Sequence, residues 1–165
     1  MLVLALLASF DALAAEMTRF SVGVAPVYAK NVTAPPSYGA DGIGASVRFA
    51  YNLTPDWALR SDLLFVHHIG AANVVQTLDL SLNVLYTIDI GTFVPYLILG
   101  FSWSVVIPRG DAPIYDGALH FGLGLAWRIN RRWSVALEGK NMVFFRDFTS
   151  YPSYLVLGLV GRVHW

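Results

Sequence analysis

The stretch Ser153-Tyr154-Leu155-Val156-Leu157-Gly158-Leu159-Val160-Gly161-Arg162-Val163-His164-Trp165 decides the fold. Leu155, Leu157, Leu159, Val163 and Trp165 fall on one side. Tyr154, Gly158, Arg162 and His164 fall on the other. A β-strand has a side-chain period of two, so one face is greasy and the other small or polar.

The same alternation recurs upstream. Thr18 to Tyr28 sets Phe20, Val22, Val24 and Tyr28 against Arg19, Ser21, Gly23 and Ala25. Gly42 to Leu53 opposes Ile43, Val47 and Phe49 to Gly44, Ser46 and Arg48. Trp57 to His68 and Val74 to Ile88 repeat the pattern, as do Phe93 to Ile107, Gly117 to Ile129 and Trp133 to Phe145. With the terminal stretch this predicts eight strands. Each is long enough for the ~9–11 residues a tilted strand needs to cross a bilayer. The breaks at Thr54-Pro55-Asp56, Asp89-Ile90-Gly91-Thr92 and Asn130-Arg131-Arg132 are tight turns, whereas most others are longer.

Composition narrows the class. The chain has 165 residues, 56% hydrophobic and 13% charged. Soluble domains are roughly 25% charged. Mean hydropathy is +0.55. Past the N-terminal segment, however, no run reaches the ~18 apolar residues of a spanning helix. Eleven basic residues balance 11 acidic ones. No basic stripe is present, so no nucleic-acid partner is expected. With no cysteine there is no disulfide framework and no thiolate metal site.

Residues 1–15 read as a signal peptide with small residues at Ala12 and Ala14, which leaves residues 16–165 as the barrel domain. No Lys or Arg precedes the apolar run, as if the true start lay further upstream.

The two faces differ in kind. One is nearly unbroken Leu, Val, Ile, Phe and Trp. The other holds Arg48, Arg60, Asp62, Asp79, His120, Arg128, Glu138 and Lys140 among Gly, Ala and Ser. Charges mixed with small residues suit a narrow barrel interior filled by side chains. A soluble calycin-like barrel would turn the large apolar set inward instead. Aromatics fall at the ends of the apolar face. Trp57, Tyr86, Phe93, Trp133 and Trp165 lie near the short turns, and Tyr28, Phe65 and Trp103 nearer the long connections. These positions suit two interfacial girdles.

Hairpin arithmetic supports the assignment. Closing the turn at 54–56 sets Arg48 opposite Asp62, and closing the one at 130–132 sets Gly124 opposite Glu138. Closing the turn at 89–92 sets Ile88 opposite Phe93 and Asp79 opposite Ser102. In each case greasy meets greasy, as correct register demands.

The chain resembles small eight-stranded outer-membrane barrels of the OmpA and OmpX type over about residues 18–165. The resemblance rests on strand number, turn asymmetry, girdles and the terminal Gly161-Arg162-Val163-His164-Trp165. Pro95-Tyr96-Leu97-Ile98-Leu99-Gly100 looks like a strand start common in such barrels. Trp133-Ser134-Val135-Ala136-Leu137-Glu138 is similar to a penultimate strand of myxobacterial outer-membrane barrel proteins. The resemblance implies an all-β, antiparallel, up-and-down transmembrane barrel in a Gram-negative outer membrane. It further implies contact with lipid and lipopolysaccharide, a monomer with both termini in the periplasm, and recognition of the last strand by the barrel assembly machinery. Trp165 stands where such proteins usually end in Phe.

Three functions are open at this point. A plugged barrel would use Arg48, Arg60, Asp62, Asp79, Arg128, Glu138 and Lys140 as a closed lumen network, since an unpaired buried charge is very costly. It would act structurally, or through outer connections at about 29–41 and 108–116. There Tyr38, Arg109 and Tyr115 are the anchors best suited to a partner. A porin-like barrel would instead line a narrow pore or carry a small or hydrophobic solute through a cavity among Gly100, Ser102, Gly122 and Gly124. An enzyme acting on lipid A or phospholipid would need a nucleophile beside a base. No His is followed two residues later by Ser, and no Gly-x-Ser-x-Gly elbow exists. His67 and His68 are adjacent, so they point to opposite faces and cannot chelate a metal together. No catalytic residue, cofactor or metal is therefore assigned.

If the apolar face meets lipid, unheated outer-membrane samples migrate differently from boiled ones on a denaturing gel. A soluble protein with no heat shift would mean that the faces are inverted.

Overall fold

The computed structural model describes residues 19–32, 41–69, 75–108, 112–145 and 153–165. The signal-peptide stretch and the anchors Tyr38 and Arg109 lie outside them. The strands are β1 (Phe20–Asn31), β2 (Asp41–Asn52), β3 (Trp57–Ile69), β4 (Val75–Thr87), β5 (Phe93–Pro108), β6 (Ile114–Arg128), β7 (Trp133–Phe144) and β8 (Ser153–His164). Each pairs antiparallel with its chain neighbour, and β8 returns to β1, so the sheet is a closed barrel. Closure gives every strand a bonded neighbour on each side and leaves no free edge.

Two of the short turns share one device. Thr54 Oγ1 accepts from Trp57 N at 3.0 Å, and Asn130 Oδ1 accepts from Trp133 N at 2.9 Å. Leu53 N and Ile129 N in turn donate to the carbonyls of Trp57 and Trp133 at 2.8 and 3.0 Å. A side-chain acceptor at the turn thus stands in for a backbone one. These closures set Arg48 opposite Asp62 and Gly124 opposite Glu138, as the arithmetic predicts.

The third turn differs. Asp79 faces Ser104, not Ser102, and Ser102 faces Ser81. Ile88 N reaches past Phe93 to the Pro95 carbonyl at 2.9 Å. The Asp89–Thr92 segment therefore caps a wider loop. Asp89 Oδ1 accepts from Gly91 N at 3.1 Å, and Gly91 takes a φ of 106°, the region where glycine is favoured. Thr92 has left its own hairpin, and its carbonyl accepts from Arg128 N at 2.9 Å. The slip is an even number of residues, so every side chain keeps its face.

Strand β6 starts at Ile114, earlier than the expected Gly117. Tyr115 therefore sits in a strand, 60% exposed and opposite Val105, and not in a loop.

The exterior is the apolar set. Leu82, Leu99, Leu123 and Leu137 are each at least 64% exposed, while Arg48 and Glu138 are at most 3% exposed. An apolar surface this continuous is a surface for lipid. The aromatics expected near the short turns all stand exposed on it, and Trp57 packs on Tyr86 with ring centroids 4.9 Å apart. Trp127, beside Phe93, joins that end. Tyr28, Phe65 and Trp103 are exposed nearer the other end.

The closing seam has one interruption. The β1–β8 ladder runs to Val24↔Gly161, resumes at Val27↔Gly158, and skips Ala25 and Pro26. Both pair normally with β2. Proline has no N–H to offer, and the missing rungs lie on the β8 side. Pro26→Val is expected to restore a donor and raise the unfolding free energy by about 1 kcal/mol. Urea unfolding in lipid vesicles reads this directly, and a lower midpoint would place the lost bond elsewhere.

Candidate functional site in the barrel lumen

Inward positions on five strands converge at mid-height. Arg48 comes from β2, Arg60 and Asp62 from β3, Tyr96 from β5, Glu138 and Lys140 from β7, and Arg162 from β8. Arg60 spans the lumen. Its Nη1 donates to Glu138 Oε1 at 2.9 Å, and its Nε lies 2.7 Å from Asp62 Oδ1. Lys140 Nζ reaches Asp62 Oδ2 at 3.0 Å. Glu138 also pairs with Arg48 and Arg162 and accepts from the Tyr96 hydroxyl. Arg162 Nη2 donates to Tyr96 Oη at 2.5 Å, and its guanidinium lies 4.8 Å from the centroid of the Tyr96 ring.

Glycines make room for these long side chains. A Cβ on Gly124 would collide with the Tyr96 ring directly opposite it. On Gly122 it would come within 3.0 Å of Lys140 Cγ, and on Gly158 within 3.2 Å of Arg48 Nη2. On Gly100 it would come within 2.5 Å of His120 Nε2. The cavity expected among Gly100, Ser102, Gly122 and Gly124 is therefore occupied. Small residues on one strand are the space used by large ones on the next.

Above the cluster lies a polar layer. His120 Nε2 is 2.5 Å from Asn83 Oδ1, and Asn83 Nδ2 donates to the Arg60 carbonyl at 3.2 Å. Asp79 accepts from Ser104 Oγ at 2.5 Å and has no ion-pair partner among the described residues. Nearer the long-loop end, His68 Nε2 sits 3.1 Å from Thr77 Oγ1 and 3.2 Å from Tyr154 Oη. His67 lies on the opposite face and is more exposed. Among the described residues no His, Asp or Glu set is grouped to hold a metal.

Arg128 departs from the expected network. It lies at the short-turn rim, where its half-exposed side chain pairs with Asp89 at 2.7 Å. The hydrogen bond from Arg128 holds the Asp89 carboxyl below the usual carboxylate range. The reason is position: Arg128 is the last residue of β6, so its face points past the lumen into the mouth. Tyr96 and Arg162 were not singled out from sequence. Their inward parity was visible, but not that they meet across the lumen.

One Ser–His pair is assembled from different strands. Ser134 Oγ lies 2.8 Å from His164 Nε2 at the short-turn end. Among the described residues no carboxylate accepts a hydrogen bond from the second ring nitrogen to orient it, the part a third member plays in a nucleophile–base triad.

No protein-family model and no curated protein matches the chain. Solved structures match its fold. Neisserial surface protein A has a TM-score of 0.73 and 16% identity, covering 88% of this chain and 97% of its own. Ail, the attachment invasion locus protein of Yersinia pestis, has a TM-score of 0.57 and 13% identity over 88% and 95%. The outer-membrane enzyme PagL has a TM-score of 0.52 and 12% identity over 86% and 98%. The chain thus shares the fold of the small eight-stranded outer-membrane β-barrels, with an apolar exterior suited to lipid.

Glu138→Ala would leave three guanidiniums facing one another and is expected to cost about 3–5 kcal/mol of unfolding free energy. Arg128→Ala, at the rim, is expected to cost at most about 1 kcal/mol. Denaturant titration of both variants in vesicles checks the contrast. Equal losses would mean that the lumen cluster does not hold the barrel together.

Proposed function

We propose that this protein is a closed membrane body whose role is structural or one of surface interaction, and that its lumen does not conduct. The observation that carries this reading is the ionic cluster at mid-height. Arg60 reaches Glu138 on the far strand and Asp62 on its own, and Arg48, Lys140, Tyr96 and Arg162 fill the space around them. To conduct, the barrel would have to break several desolvated ion pairs at once, each costly to separate.

With the lumen closed, interaction falls to the exterior and to the outer connections between β1 and β2 and between β5 and β6. Two proteins that share the fold, a surface protein and an attachment protein, are named for roles of that kind. Tyr115 fits such a role from its exposed strand position, and Tyr38 and Arg109 fit it by residue type. The lipid-facing belt supports a monomer in contact with membrane lipid and lipopolysaccharide. The terminal strand, docked on β1 through the Phe20–Trp165 backbone pair, is the segment the assembly machinery would recognise.

A pore or carrier is disfavoured because the glycine spaces are filled. PagL shows that this fold can carry an enzyme, but here the candidate Ser–His pair lacks an orienting acid.

Planar-bilayer recording tests the reading. Wild type is expected to give no stable channel, and Asp62→Ala or Arg48→Ala to give measurable openings. A steady wild-type conductance would overturn the closed-lumen reading in favour of the pore.

A further inference from the structure

Below the ionic cluster the barrel is not filled. A cavity of about 570 Å³ opens at the short-turn end. This volume falls within the roughly 300–1,000 Å³ of small-molecule sites. Its floor includes Arg60, Tyr96 and Arg162, and its walls include Arg128, Arg131, Ser134 and His164.

The charges around it do not balance. The one carboxylate among the described residues lining the cavity, Asp89, is already paired with Arg128. Beneath the floor, Glu138 is shared by Arg48, Arg60 and Arg162, while Asp62 is shared by Arg60 and Lys140. The buried cluster with Asp79 therefore holds Arg48, Arg60, Lys140 and Arg162 against Asp62, Asp79 and Glu138, an excess of one cation. Arg162 is the least buried of these cations, and it faces the cavity. Arg131 adds a second positive charge from the turn, with no ion pair to a described residue. Low-dielectric walls concentrate such a field in the opening. Guanidinium forks match oxyanions by paired hydrogen bonds. The Ser134 hydroxyl and the His164 ring lie on the same wall and supply neutral polar groups.

We propose that this cavity is a binding site for a small, soluble oxyanion carrying two or more negative charges, of the phosphate or carboxylate class. Arg162 and Arg131 are its charge partners. The ligand enters from the aqueous side of the short turns, with no passage through the cluster. The barrel would thus display one chemistry to the outside and a separate recognition site to the periplasm.

The test is calorimetric titration of the full folded chain in detergent micelles with inorganic pyrophosphate, with citrate, and with a neutral disaccharide. One saturable site per barrel is expected for pyrophosphate, for citrate or for both, and none for the sugar. An Arg131→Gln/Arg162→Gln variant that retains its heat-dependent gel shift should bind about tenfold more weakly. Lys30→Gln, at the other end of the barrel, should bind as wild type does. If the double variant fails to fold, Arg131→Gln alone carries the test, and a severalfold loss is expected of it. No saturable binding would overturn the proposal. So would equal binding in the arginine variant, or equal loss in Lys30→Gln.

Discussion

A sheet of eight strands closed on itself has an interior about one layer of side chains across from wall to wall. At mid-height, whatever points inward must therefore meet its counterpart from the far side, out of reach of bulk water. The pairing of Arg60 with Glu138 and Asp62 answers that constraint. It links β3 to β7 through the lumen, where no backbone bond can. Arg48, Lys140 and Arg162 gather on the same two carboxylates, which offset their charge where water cannot.

The rest of the interior follows from that cluster. Long side chains fit only where a facing position offers no Cβ, which explains Gly122, Gly124 and Gly158 beside Lys140, Tyr96 and Arg48. Where the charges end, neutral pairs take over: His120 with Asn83, and His68 with Thr77 and Tyr154. The cluster closes the lumen across its width. Its short-turn side is an open cavity with arginines on the floor and rim. The proposed surface interaction and the proposed oxyanion site would lie on opposite sides of the cluster.

The exterior shows the complementary rule. In lipid, apolar side chains need no partner, so Leu82, Leu99 and Leu123 stand exposed without penalty. What lipid does not tolerate is an unpaired backbone group, and closure supplies every strand with two neighbours. Pro26 is the local exception, set in the seam where first strand meets last. Thr54 and Asn130 tie the short turns through side-chain acceptors, so the register of their hairpins is held by local chemistry.

Those locally held features are the ones legible in the sequence. Period-two alternation assigned the strands and the two faces, because a strand's side chains must alternate whatever lies around it. Tight turns at 54–56 and 130–132 then placed Arg48 opposite Asp62 and Gly124 opposite Glu138. The wider loop at 89–92 was misjudged by two residues because Asp89 bonds to Arg128 and Gly91, and the Thr92 carbonyl to Arg128, across to another hairpin. Arg128 itself shares the parity of the lumen residues, but only its height on β6 puts it at the mouth. The meeting of Arg60, Glu138, Tyr96 and Arg162 across the lumen was decided by the tertiary structure. So was the filling of the glycine spaces, and so was the cavity beneath. Alternation determines which way a residue points. Strand closure and register determine at what depth it points and what stands opposite, and neither is a local property of the chain.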